Sequence, residues 1–355
     1  MRIINIIFVI LLTLLVFGVV IFIHELGHFL AAKACGIKVL EFAMGMGPKL
    51  IKFQKGETLY SLRLFPIGGF CSMLGEDGTT DEDGTIDDER SFDKKPIWKR
   101  MIVLVAGAFM NLVLGLIVTF CFLIPGGDTL PTNIVNQIAK DSPVAESGLM
   151  PGDKILYVNN TRCYSDFDVT FSILRAYEDT MEFVVERDGS KLTLPDVKFN
   201  TVEEEGVKSV SFDFNFTRVK KTPGELLKQT VQKSTAIVKV VWFSIIDLFT
   251  GHVSFRELSG PVGTAEAIGT AASLGLEQLL LMLTFITINL GIFNLLPFPA
   301  LDGGRVVFLL IELIFRRKVN TKVENFINVA GFALLILLSI AVTFSDIIKL
   351  ITGTK

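Results

Sequence analysis

His24-Glu25-Leu26-Gly27-His28 sets two imidazoles four residues apart with a carboxylate between them. On an α-helix, positions i and i+4 project from one face, so both rings can hold the same metal ion. Glu25 lies beside them and can take a proton from a metal-activated water. The plainer reading is a pair of unrelated helix histidines. However, the motif ends an apolar run of membrane length, where ionisable groups are costly and functional by default. A catalytic zinc site uses three protein ligands and one open position. The third histidine, His252, follows an amphipathic stretch on the outer side and is poorly placed. Asn294-Leu295-Leu296-Pro297-Phe298-Pro299-Ala300-Leu301-Asp302-Gly303-Gly304 is the stronger source. Two prolines break an apolar helix there and free backbone carbonyls, which membrane depth tolerates only beside a protein cavity. Asp302 then completes a His₂Asp set, or else it caps the following helix, Gly304–Phe315.

The elements that carry these residues read as membrane helices. The chain has 355 residues, 50% of them hydrophobic, with 30 Phe and a net charge of −3. Mean hydropathy is +0.54, too apolar for an ordinary soluble domain. There is no basic stripe, so no nucleic-acid partner is expected. Cys35, Cys71, Cys121 and Cys163 form no CxxC and read as packing residues or free thiols. Four segments qualify as spans: Ile3 to about Leu30, Ile97 to Ile124, Leu276 to Leu296 and Phe326 to Leu350. Met1–Gly36 resembles a secretory signal ending at Ala32-Lys33-Ala34, but its apolar stretch is too long, and cleavage would discard the histidines. Lys33 and Lys38, Lys94 to Arg100, and Arg316 to Lys322 share one side if the N-terminus is outside. Both termini and the 128–222 segment are then extracytoplasmic.

Between the spans the pattern changes. Lys49–Phe53 and Thr58–Leu64 flank Lys55-Gly56 and read as a β-hairpin, followed by a flexible apolar loop at Pro66–Phe70. Glu76–Glu89 is an acidic, Gly/Thr-rich loop. Aligning Gly84 with the turn glycine of a calcium loop puts Thr79 and Arg90 at its ends, so that reading fails. Pro131–Thr217 alternates charged and β-branched runs, with turns at Pro151-Gly152-Asp153, Asn159-Asn160 and Asp188-Gly189: a small α/β module. Glu225–Leu248 is amphipathic, with Trp242 and Phe243 suited to a membrane interface, although a plain soluble helix has the same pattern.

Taken together, these motifs resemble the site-2 proteases, intramembrane zinc metalloproteases, in their bacterial RseP-like branch. The resemblance covers nearly the whole chain. It rests on His24–His28, on Gly107-Ala108-Phe109-Met110-Asn111, and on Asn289 followed by the Asn294-to-Gly303 pattern. Leu258-Ser259-Gly260-Pro261-Val262-Gly263 matches the family's loop before the third core helix. Asp141-Ser142-Pro143-Val144-Ala145 and Gly148–Ile155 look like a bacterial PDZ domain. There is room for one such domain, where the best-known branch has two.

The resemblance implies a polytopic α-helical membrane protein of about four transmembrane helices, with a membrane-associated β-hairpin and an inserted α/β PDZ domain. Its divisions are 1–36 (first helix), 37–95 (hairpin and acidic loop), 96–125 (second helix) and 128–218 (PDZ domain). They continue as 223–263 (interfacial helix and loop), 271–318 (third helix with the Asp302 motif) and 322–355 (fourth helix). It also implies one Zn²⁺ per chain on His24, His28 and Asp302, Glu25 as general base, and an active site near the cytoplasmic face of the cell membrane. Asn289 and Asn294 match positions that hold substrate backbone or the oxyanion. Gly68, Gly69 and Phe70 match an element that holds the substrate as an added strand. The implied substrates are single-span membrane proteins pre-cut by another protease, such as anti-sigma factors, and remnant signal peptides. Other readings are an inactive PDZ-bearing scaffold and a metal transporter. The intact Glu25 speaks against the first. The presence of one helix break and no repeat speaks against the second.

Overall fold

The computed structural model describes residues 2–76, 79–80, 89–176, 180–204, 207–251 and 258–352. His252 and most of the acidic 76–89 stretch lie outside them. The chain forms two compact units, Met1–Val118 with Ser244–Lys355, and Thr119–Phe243.

In the first unit, α1 (Arg2–Ala34) is a continuous apolar helix with no proline to interrupt it. Gly36, at φ +69°, turns the chain so that the Ile37 N–H donates to the Ala32 carbonyl at 2.9 Å and closes the helix. Strands β1 (Val39–Lys55) and β2 (Thr58–Met73) follow. Their pairing is double. Glu41 faces both Leu59 and Ser72, Phe42 both Tyr60 and Cys71, and Ala43 both Ser61 and Phe70. The first half of β1 therefore lies between the two halves of β2. Among the described pairs, 69–73 is bonded on one side only and is an edge. The expected hairpin is present but longer than the sequence suggests, and the expected loop at Pro66–Phe70 is strand. Its glycines bend β2 without ending it: Gly68 takes φ +81° where the register shifts.

Helix α2 (Ile97–Leu123) is followed by the second unit. There, β3 (Thr129–Ile138), α3 (Pro143–Glu146), β4 (Lys154–Val158), β5 (Thr161–Arg162) and α4 (Asp166–Arg175) come first. β6 (Thr180–Arg187), β7 (Ser190–Lys198), the pair β8 (Thr201–Glu204) and β9 (Val207–Val210), and β10 (Phe214–Lys220) complete it. The main sheet has the order β10-β3-β4-β6-β7, with β5 on β4. Val135, Ile155, Val169, Ile173, Phe183 and Val185 are fully buried at its centre. The turn residues behave as their chemistry requires. Asn159 and Asn160, and Asp188 and Gly189, all take positive φ, the two-residue turn that suits strand twist. Asp153 is 1% exposed and receives two 2.7 Å bonds from the Arg187 guanidinium and one from the Met150 N–H. A capping box of Ser165 and Asp168 starts α4. Burial pushes the Cys163 thiol up to about 12, so it is a packing group.

Helix α5 (Pro223–Thr250) joins the second unit through Lys233 on Asp166 (2.7 Å) and Lys239 on Asp168 (2.8 Å). Leu227, Val231, Val238, Trp242, Ile246 and Phe249 remain exposed along it. The first unit resumes with α6 (Pro261–Leu274), α7 (Leu276–Leu295), α8 (Asp302–Phe315) and α9 (Thr321–Thr352). The 271–318 region is thus the end of α6, then α7, a break, and α8. Among the described residues, four helices are long and apolar enough to span a membrane: Ile6–Ala34, Ile97–Leu123, Leu276–Leu295 and Lys322–Lys349. They match the four spans expected from the sequence.

Candidate metal and active site

His24 and His28 lie one turn apart on α1 and are 8% and 7% exposed. Their Nε2 atoms face each other at 3.2 Å. Asp302 Oδ2 stands 3.1 Å from the first and 3.3 Å from the second. Tetrahedral zinc, with bonds of about 2.0–2.2 Å, separates its donors by roughly 3.3–3.6 Å. The three atoms fit that ion within a few tenths of an ångström. Asp302 Oδ2 is buried and makes no contact of hydrogen-bond geometry despite both nitrogens, as expected of an oxygen aimed at a cation. Among the described residues, these three form the one His/Cys/Asp/Glu group able to hold a metal.

Local sequence explains how Asp302 arrives there. Pro297 and Pro299 stop α7, and Ala300 at φ +72° turns the chain back into α8. Leu301 is the N-cap of α8, and Asp302 is its first residue without a capping bond, so the carboxylate is free for the imidazoles. Gly303 packs against the last carbonyls of α7, where an added Cβ would lie 2.5 Å from the Leu295 carbonyl carbon.

Helix α2 supplies the wall behind the histidines. The His28 Nδ1–H donates to the Val103 carbonyl at 2.8 Å, which leaves the Nε2 lone pair facing Asp302. Gly107 abuts both rings, and an added Cβ would lie 2.9 Å from His24 Cε1 and closer to His28. Asn111, fully buried, places its amide 3.3 Å from His24 Nδ1.

On the open side lies a cavity of about 260 Å³, lined by His24, Glu25, His28, Asp302, residues 69–73, Glu76, Thr79, Leu104 and Arg305. The backbone N–H of Cys71 donates to the Glu25 carboxylate. Gly69 sits against Glu25, with Cγ 3.1 Å from where a Cβ would be. Arg305, one turn after Asp302, forms an ion pair with Glu76. Of the residues expected from sequence, the structure gathers His24, Glu25, His28, Asp302, Gly69 and Phe70. Gly68 does not line the cavity; its neighbour is Met46. Nor do Asn289 and Asn294. They sit five residues apart on α7, about 140° around the helix, and Asn289 is exposed. Sequence reasoning did not reach Val103, which acts through its backbone, or Arg305 and Glu76. The spacing of Arg305, three residues after Asp302, was the available signal for one of them.

A His₂Asp set whose donor spacing fits zinc, with the Glu25 carboxylate beside it on a helix of membrane length, is the arrangement that known proteins can be set against. The model of peptidase family M50 matches residues 12–338. A candidate zinc metalloprotease of Clostridium acetobutylicum is 37% identical, over 96% of this chain and 98% of its own. The regulator of sigma-W protease RasP of Bacillus subtilis is 30% identical, over 95% and 97%. The zinc metalloprotease RasP of Shouchella clausii is 31% identical, over 94% and 97%. The chain belongs to peptidase family M50, the site-2 proteases, and is a zinc-dependent metalloprotease of the membrane.

Proposed function

We propose that this chain hydrolyses peptide bonds within the membrane segments of single-span membrane proteins, with anti-sigma-factor-like proteins and remnant signal peptides as its substrate class. The observation that carries the reading is the convergence of His24, His28 and Asp302 on one point, with Glu25 and a strand edge paired on one side only on the same cavity. In this reading, His24, His28 and Asp302 hold one zinc ion. When bound, zinc supplies Lewis acidity toward water and a peptide carbonyl. Glu25 takes a proton from the attacking water and passes it to the leaving nitrogen as the C–N bond breaks and the C–O bond forms. The Cys71 N–H orients that carboxylate. The 69–73 edge offers main-chain donors and acceptors to an unwound substrate, each bond contributing roughly 0.5–1.5 kcal/mol net. Asn289 and Asn294 act on substrate backbone only if substrate reaches α7.

The positive-inside pattern supports an extracytoplasmic placement of both termini and of the Thr129–Lys220 sheet, with the zinc site toward the cytoplasmic face. The Gly148–Ile155 turn and the β10-β3-β4-β6-β7 sheet support a PDZ reading of this unit, as a filter that admits pre-shortened proteins. The exposed apolar stripe of α5 supports its lying in the membrane interface. The test is Glu25→Gln and Asp302→Ala in purified protein with a single-span substrate. Glu25→Gln should retain zinc and abolish cleavage, and Asp302→Ala should lose both. Zinc and activity surviving Asp302→Ala would rule out this ligand set.

A further inference from the structure

Three residues of α2, each four apart, face the imidazole pair: Val103, Gly107 and Asn111. The bond from His28 to Val103 can be made in one sense only, because a carbonyl accepts. It puts the ring proton on Nδ1 and turns the Nε2 lone pair inward. His24 has no such constraint from Asn111, whose amide can donate or accept. Its Nδ1 meets the amide nitrogen of Asn111. If that amide donates, the His24 proton sits on Nε2, the atom 3.2 Å from His28 Nε2 and 3.1 Å from Asp302 Oδ2. A ring protonated there cannot ligate a metal. In the same orientation Asn111 Oδ1 is buried with no partner at all. An amide turned by 180° fills the same volume with its oxygen and nitrogen exchanged.

We propose that Asn111 is a positioning residue for the metal site. Its Oδ1 accepts from the His24 Nδ1–H, which holds that ring in the tautomer whose Nε2 can bind zinc. This rests on the reading of His24, His28 and Asp302 as ligands. The exchange gives both histidines the same orientation, Nδ1–H toward α2 and Nε2 toward Asp302. It also explains the residue type. The amide oxygen supplies the acceptor that an apolar side chain in that place lacks, and Gly107 between the two contacts keeps the helix close enough to make both. Outer partners of ligating histidines fix ring orientation and basicity.

The experiment uses full-length protein in detergent and follows zinc transfer to a chelator, together with the cobalt(II) absorption spectrum of the substituted protein. Asn111→Leu keeps the volume and removes the acceptor. It should release zinc about 10–100-fold faster and change the cobalt spectrum. Asn111→Asp keeps the acceptor and should stay within about threefold of the wild type on the same scale. If Asn111→Leu does not assemble, Asn111→Ala replaces it. Zinc release at the wild-type rate from the Leu or Ala variant would reduce Asn111 to packing and overturn the proposal. So would equal loss in the Asp and Leu variants. His24→Ala is run alongside. Normal zinc retention there would sink the ligand set and this proposal with it, whereas loss in His24→Ala with retention in Asn111→Leu would sink the positioning role alone.

Discussion

At the residue scale, the site depends as much on missing atoms as on present ones. Gly107 has no side chain, and the two imidazoles occupy the space a Cβ would need. Rings that hold a metal cannot move aside without losing the geometry, and overpacking of this kind costs typically about 1–3 kcal/mol. Gly107→Ala should therefore lower zinc content and activity together, while the Thr119–Phe243 unit keeps its own thermal transition. Zinc analysis of purified protein checks this. Normal zinc in Gly107→Ala would mean that α2 can retreat from α1. A contrasting case is Gly18, with nothing near its would-be Cβ, where alanine should leave zinc unchanged.

At the element scale, the edge at 69–73 and the turn of the hairpin carry separate expectations. Gly69→Pro removes an N–H donor and restricts φ. Cleavage should slow strongly at normal zinc content, and helix-breaking residues in the substrate span should partly restore it. Cleavage at the normal rate would show that the edge does not hold substrate. Glu57, at the hairpin turn, is held below the usual carboxylate range by hydrogen bonds from Lys33 at the end of α1 and from Arg90. A depressed carboxylate stabilises the folded form above its unfolded value of 4.5, and that contribution is lost as pH falls through the lower folded value. Hydrogen exchange at 55–58 should rise relative to the rest of the sheet as pH drops below about 4.5, after correction for the intrinsic rate. Glu57→Gln should abolish that extra rise. In the second unit, Arg187→Ala leaves Asp153 buried without its partner and should destabilise that unit by about 3 kcal/mol, measured by denaturant unfolding.

For the whole molecule, the candidate metal group lies within one compact unit and the sheet core within the other. The core around Phe183 belongs to the second unit alone, so Asp128–Lys221 should fold without the membrane helices, as a cooperative transition in circular dichroism will show. Deleting it should leave zinc content unchanged. If it filters substrates, the deletion should let longer, uncut substrates be cleaved, in a cleavage assay comparing full-length and pre-shortened forms. Loss of cleavage for both forms would make the unit a required docking site instead.

The candidate metal group was largely legible from residue order. A pair four apart on one helix is a local pattern, so His24 and His28 were legible as candidate ligands, and Asp302 as a third from the prolines and glycines that only a broken helix uses; the structure brings the three together. Span length likewise follows from the bilayer, and four helices of that length are found among the described residues. The turns at Asn159-Asn160 and Asp188-Gly189 were equally local. What the tertiary structure decided is the set of contacts between residues far apart in the chain. The Val103 carbonyl has no residue identity to read, and Asn111 meets His24 only because Gly27 and Gly107 let two helices close. The Pro66–Phe70 run reads locally as a loop, yet it is strand because the first half of β1 offers it a partner. Periodicity records what one element does alone. Which edge stays open, which carbonyl meets an imidazole and which asparagine meets the other are settled by packing between elements, where no sequence spacing applies.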